Sequence, residues 1–188
     1  MPALNFDFKF YPGQCGLLDE YFEVEKFYFP REFKDRKIPK YDYAILKLTR
    51  SVKTDNFLPL GTNITELQTA KLMIYGYPVQ PNNYTPIDKK GSNWKAYQFG
   101  LTKEKLVKEV KKERSEIIHL ISTRPGQSGT PIILVDRKGN FRIVGIHKGG
   151  FTKEISKPPI ANIGRIVDQG LIAILQREAA KLNAQPFS

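Results

Sequence analysis

Residues 122–150, STRPGQSGTPIILVDRKGNFRIVGIHKGG, place Ser128 next to Gly129 and two residues after Gly126. A serine hydroxyl is a weak nucleophile until a base removes its proton and nearby donors stabilise the oxyanion that forms. Glycines at 126 and 129 let the backbone turn sharply about Ser128, aiming the hydroxyl outward and the amides of Gly126 and Ser128 toward one point. The spacing predicts Ser128 as a nucleophile and those two amides as an oxyanion hole. Taken alone, Gly-Gln-Ser-Gly-Thr-Pro also suits an ordinary hairpin turn. The candidate bases are few, because the sequence holds two histidines, His119 and His147.

The elements that must position this turn read as strands. Short alternating or apolar runs at 21–29, 43–48, 71–78, 94–100, 116–122, 130–136 and 141–147 are separated by Gly, Pro and Asn, the pattern of an all-β barrel or sandwich. Asp136-Arg-Lys-Gly-Asn140 predicts a hairpin joining the two runs that flank it. Only the end is convincingly helical: Asp168 is a good N-cap, and Leu171, Ile172, Leu175, Ala179 and Leu182 share one face. The stretch 101–114 also admits a helix.

Composition narrows the partners. With 30 Lys and Arg against 19 Asp and Glu the chain carries +11, but the lysines are spread along its length. The densest run, KEKLVKEVKKER at 103–114, interleaves glutamates with lysines, which suits a solvated face better than a nucleic-acid site. Nucleic acid is therefore not the expected partner, and basic polyanion binding is a third reading. No apolar run of about 18 residues predicts a membrane span, and the N-terminal residues show no signal-peptide pattern. The single cysteine, Cys15, excludes an internal disulfide framework. Asn63 and Asn83 stand in glycosylation sequons, a weak pointer to secretion.

Pro-Gly-Gln-Ser-Gly-Thr-Pro, followed by an apolar strand, a hairpin and Ile-Val-Gly-Ile-His-Lys-Gly-Gly, resembles the chymotrypsin-like serine peptidases, in particular their glutamyl endopeptidase branch. Asp42-Tyr-Ala-Ile-Leu-Lys-Leu48 resembles the segment carrying that family's catalytic aspartate, Ile74-Tyr-Gly-Tyr-Pro78 the opening of its second barrel, and Ala161-Asn-Ile-Gly-Arg-Ile166 its last strand. The resemblance implies two antiparallel β-barrels: residues 1–60 as an incomplete first barrel with Asp42, 66–166 as the second barrel with Ser128, and 167–183 as a closing helix. In the Ser-His-Asp template the aspartate precedes the serine by about 93 residues and follows the histidine by about 45. Asp42 and Ser128 meet the first spacing closely; the second puts the histidine ahead of Met1. The chain thus reads as truncated or as a degenerate paralogue, close to inactive by itself.

The resemblance also implies a pocket. Ser122 stands six residues before Ser128, where an aspartate would select Lys or Arg. Thr123 and His147 match residues that hold a substrate carboxylate, which implies preference for Glu. Lys148, Gly149 and Gly150 would offer backbone to an extended peptide. His119 is expected to be a satisfied core or edge side chain. No metal or organic cofactor is implied; the expected partner is a peptide or protein substrate, with no membrane, a monomeric state and an extracellular setting. The competing reading is an inactive pseudoprotease that keeps the groove as a peptide-binding module.

Overall fold

Alternation and apolar runs become two antiparallel sheets and a C-terminal helix. The computed structural model describes residues 9–10, 21–53, 57–61, 63–67, 71–76, 97–99, 107–124, 126–152 and 160–181. The strands are β1 (Lys9–Phe10), β2 (Phe22–Tyr28), β3 (Ile45–Leu48), β4 (Lys71–Gly76), β5 (Tyr97–Phe99), β6 (Val107–Lys111), β7 (Glu116–His119), β8 (Pro131–Val135), β9 (Phe141–Phe151) and β10 (Ala161–Ile166). The helices are α1 (Arg31–Arg36), α2 (Ile64–Leu67) and α3 (Gln169–Lys181). One sheet runs β1-β2-β3; the other runs β5-β4-β8-β9-β10-β7-β6.

The continuous apolar run in β8 suits its place between β4 and β9, where Ile132, Ile133 and Leu134 are buried. Ile132 and Leu134 join Leu72, Ile74, Ile117, Val144 and Ile166 in the core of the larger sheet. Burying each such side chain contributes about 1.5–3 kcal/mol before conformational entropy is counted. A second apolar cluster, Tyr43, Val167 and Leu171 with Tyr28, Tyr41, Leu60 and Ile143 packed on it, joins the smaller sheet and α3 to the larger sheet. On the outer face of the smaller sheet, Phe27 and its cross-strand partner Leu46 stay exposed, and Phe27 stacks on Phe29.

The expected hairpin forms: the Asp136 carboxylate accepts the amides of Lys138 and Asn140, and Gly139 takes φ 85°. Asp168 caps α3, its carboxylate accepting the Leu171 amide at 2.8 Å. Two local readings are corrected. Residues 107–111 are not helical but form edge strand β6 on β7, because β7 offers an unpaired edge; the Lys and Glu there suit an exposed edge strand. Residues 101–106 lie outside the described residues. α1 and α2 also form, so helix is not confined to the end; Asn63 accepts the Thr65 amide at the start of α2. As expected, the strand continues through Lys148, Gly149 and Gly150, and β9 ends at Phe151. Cys15, Asn83 and Leu182 lie outside the described residues.

Candidate active site

The turn that carries Ser128 is held from both ends. Gly126 and Gly129 adopt φ 91° and 89°, backbone that a Cβ would strain. Gln127 is fully buried, and its Oε1 accepts the Arg124 amide at 2.7 Å. On the far side, the Gly129 amide donates to the His147 carbonyl and the His147 amide to the Thr130 carbonyl, each at 2.8 Å. Ser128 is left exposed, its Oγ donating to the Lys148 carbonyl at 3.0 Å. Among the described residues, the amides of Gly126 and Ser128 donate to no protein acceptor, as suits donors kept for a substrate oxygen. Gln127 is the functional residue that sequence reasoning passed over. Its signal was a glutamine between two turn glycines, where a buried amide pins the loop.

Asp42 ends a single 3₁₀ turn, Pro39–Tyr41, and its amide donates to the Pro39 carbonyl. Its carboxylate lies 3.7 Å from Lys148 Nζ, not against an imidazole. The structure thus brings Asp42 and Ser128 to the same residue: Ser128 meets the main chain of Lys148, and Asp42 meets its ammonium.

Both histidines belong to the larger sheet's interior. His119 and His147 are buried, with ring centroids 5.4 Å apart in an edge-to-face arrangement. Among the described residues, neither ring nitrogen of His119 has a hydrogen-bond partner, nor does Nδ1 of His147; His119 is a core side chain as expected, but no described residue satisfies it. Burial, with a smaller contribution from the His147 ring, pushes His119 down to about 3; burial also lowers His147. Thr123 Oγ1 donates to Asn162 Oδ1 at 2.9 Å, and Asn162 Nδ2 donates to the Ile121 carbonyl at 2.7 Å. Asn162 faces His119 on β7 and Gly150 on β9 in the strand register. Ser122 is exposed beside Thr123. Asn162 is a second residue not singled out from sequence, where only the strand around it was recognised. Among the described residues, no three His, Cys, Asp or Glu side chains group to hold a metal ion, and no helix is long and apolar enough to cross a membrane.

No protein-family model and no curated protein matches the sequence. Solved structures do match. A Glu endopeptidase aligns with TM-score 0.59 and 19% identity over 90% of this chain and 70% of its own. Protease Anisep from Arthrobacter nicotinovorans aligns with TM-score 0.54 and 11% identity over 92% of this chain and 74% of its own. The fold is chymotrypsin-like. Within this chymotrypsin-like fold, β9 extends beyond β8: its last paired residue on that side is Ile146, opposite Pro131, while residues 147–151 are flanked by β10 on the other. Lys148, Gly149 and Gly150 therefore lie where β9 has outrun one neighbour, next to the Ser128 turn.

Proposed function

We propose that this chain carries a serine-peptidase-type site that binds an extended peptide along the edge of β9. Ser128 is the nucleophile, the amides of Gly126 and Ser128 form the oxyanion hole, and Asp42 is the orienting carboxylate. Gly149 and Gly150 pair with the peptide backbone. The observation that carries this reading is an exposed serine on a pinned, glycine-bracketed turn, with two amides that donate to no acceptor among the described residues, beside a strand that outruns its neighbour. In this reading Thr123 and His147, with the exposed Ser122 next to Thr123, receive an acidic side chain. That preference is supported by the link from Thr123 to Asn162, which faces His119, whose ring in turn meets that of His147, and by the likeness to a Glu endopeptidase fold.

Hydrolysis by these residues alone is residual. The two histidines of the sequence are both buried in the larger sheet, and Ser128 donates its proton to a carbonyl, not to a base. The oxyanion hole and binding by themselves are worth about 10³–10⁴ over water. The same observations favour a second reading, a peptide-binding module without turnover. A fluorophosphonate probe and a peptide series with Glu, Gln or Lys before the scissile bond separate the two. Labelling of Ser128 with faster cleavage after Glu supports the enzyme; binding without labelling supports the module. Equal affinity for Glu and Gln peptides removes the pocket role of His147 and Thr123.

A further inference from the structure

Lys148 is the residue left over when β9 and β10 are paired. Gly149 faces Ile163 and His147 faces Gly164, so Lys148 has no partner in the register and stands in a one-residue bulge. Gly149 follows it with φ 152°. Bulges bend a strand and re-aim a side chain, and they recur beside functional sites. Here the side chain is turned inward, with 13% of it exposed.

Its ammonium meets three oxygens from two parts of the chain. Nζ lies 3.2 Å from the Pro39 carbonyl, 3.5 Å from Glu116 Oε1 and 3.7 Å from Asp42 Oδ2. Pro39 and Asp42 lie between the strands of the smaller sheet, whereas Glu116 begins β7 of the larger one. Glu116 is buried, and an ammonium at this point supplies the charge that a buried carboxylate needs. One residue further into β10, Arg165 donates from Nε to the Lys40 carbonyl, so two cations from adjacent strands hold the 39–42 segment.

We propose that Lys148 is the positioning residue of the Ser128 site. Its ammonium clamps the 39–42 segment to the larger sheet and occupies the Asp42 carboxylate, while its carbonyl orients the Ser128 hydroxyl. The bulge makes both possible at once, because a regularly paired residue would not be re-aimed out of the ladder. The Asp42 carboxylate is then committed to an internal cation, and the strand edge that receives a peptide is fixed against Asp42. This inference rests on the peptide-site reading above for its effect on binding, but not for the clamp itself.

Amide hydrogen exchange at Tyr41, Asp42 and Tyr43 reads the clamp, since these amides donate within the turn. Affinity for an extended peptide ending in Glu reads the site. Lys148→Met should raise exchange at the three amides at least tenfold relative to Ile117 and weaken the peptide at least tenfold; Lys148→Arg should restore both. Unchanged exchange in Lys148→Met overturns the clamp. Raised exchange with unaltered peptide affinity overturns the positioning role. A wild-type protein that binds no peptide, yet shows the exchange response, upholds the clamp and sinks the peptide-site reading. Should Lys148→Met fail to fold, Asp42→Asn removes one exposed partner and should raise the same exchange rates by a smaller factor; no rise overturns the inference.

Discussion

Replacing His119 with Phe should flatten the acid side of the stability profile. Burial and the neighbouring His147 ring hold His119 down to about 3, against an ordinary value of 6.5. Below about pH 6.5 the unfolded chain takes up a proton that the folded chain refuses. The stabilisation is therefore complete above pH 6.5 and is lost as pH falls toward 3, at about 1.4 kcal/mol per pH unit. Between pH 6.5 and 4.5 His119 alone removes about 2 to 3 kcal/mol, and His147 acts in the same direction. For a chain of this size that is a drop in Tm of about 5 to 10 °C. Urea unfolding at pH 4.5, 5.5, 6.5 and 7.5 gives the slope for the wild type and for His119→Phe. The ring substitution keeps an aromatic edge against His147, and any fixed packing change cancels in the difference between pH values. The variant should lose about 2 kcal/mol less than the wild type over that range. If the two profiles fall in parallel, His119 is not the buried neutral imidazole described here.

Three further outcomes follow from named contacts. A Cβ at Gly145 would sit 2.9 Å from the Arg165 carbonyl, a main-chain atom that cannot swing aside, so Gly145→Ala should cost about 1–3 kcal/mol in urea unfolding. Asp168→Ala removes both the cap on the Leu171 amide and the 3.0 Å partner of the buried Arg165. It should cost more than Asp168→Asn, which keeps a capping oxygen, and the cap by itself accounts for about 1 kcal/mol. Gln127→Leu takes away the acceptor for the Arg124 amide and should cost about 1 kcal/mol. It should also weaken peptide binding at Ser128, which titration of a Glu-terminated peptide would detect.

Much of the architecture was legible because period-two patterning and turn residues act locally. Asp136 to Asn140 closes its hairpin with bonds from its own side chains, and Asp168 caps its own helix. The Ser128 turn was equally legible, since positive φ at Gly126 and Gly129 leaves little choice of residue. The 101–114 region misled because its charge pattern suits a helix face and an edge strand alike; pairing with β7 decided between them. Gln127 and Asn162 were passed over for the opposite reason: an amide side chain declares itself only through what it touches.

The residue types, their order and their local turns determined by themselves a mostly antiparallel β chain, its terminal helix and an exposed serine poised between glycines. Only the tertiary structure decided what surrounds that serine. Asp42 and Glu116 are far apart in sequence, and a bulge between β9 and β10 brings the Lys148 ammonium to both. Likewise only packing decided that the two histidines meet as a neutral pair in the core, because burial removes the hydration an imidazolium needs. Local physics selects a turn from the residues that make it, but the charge that a carboxylate or an imidazole carries depends on neighbours that only the packed sheets bring within reach.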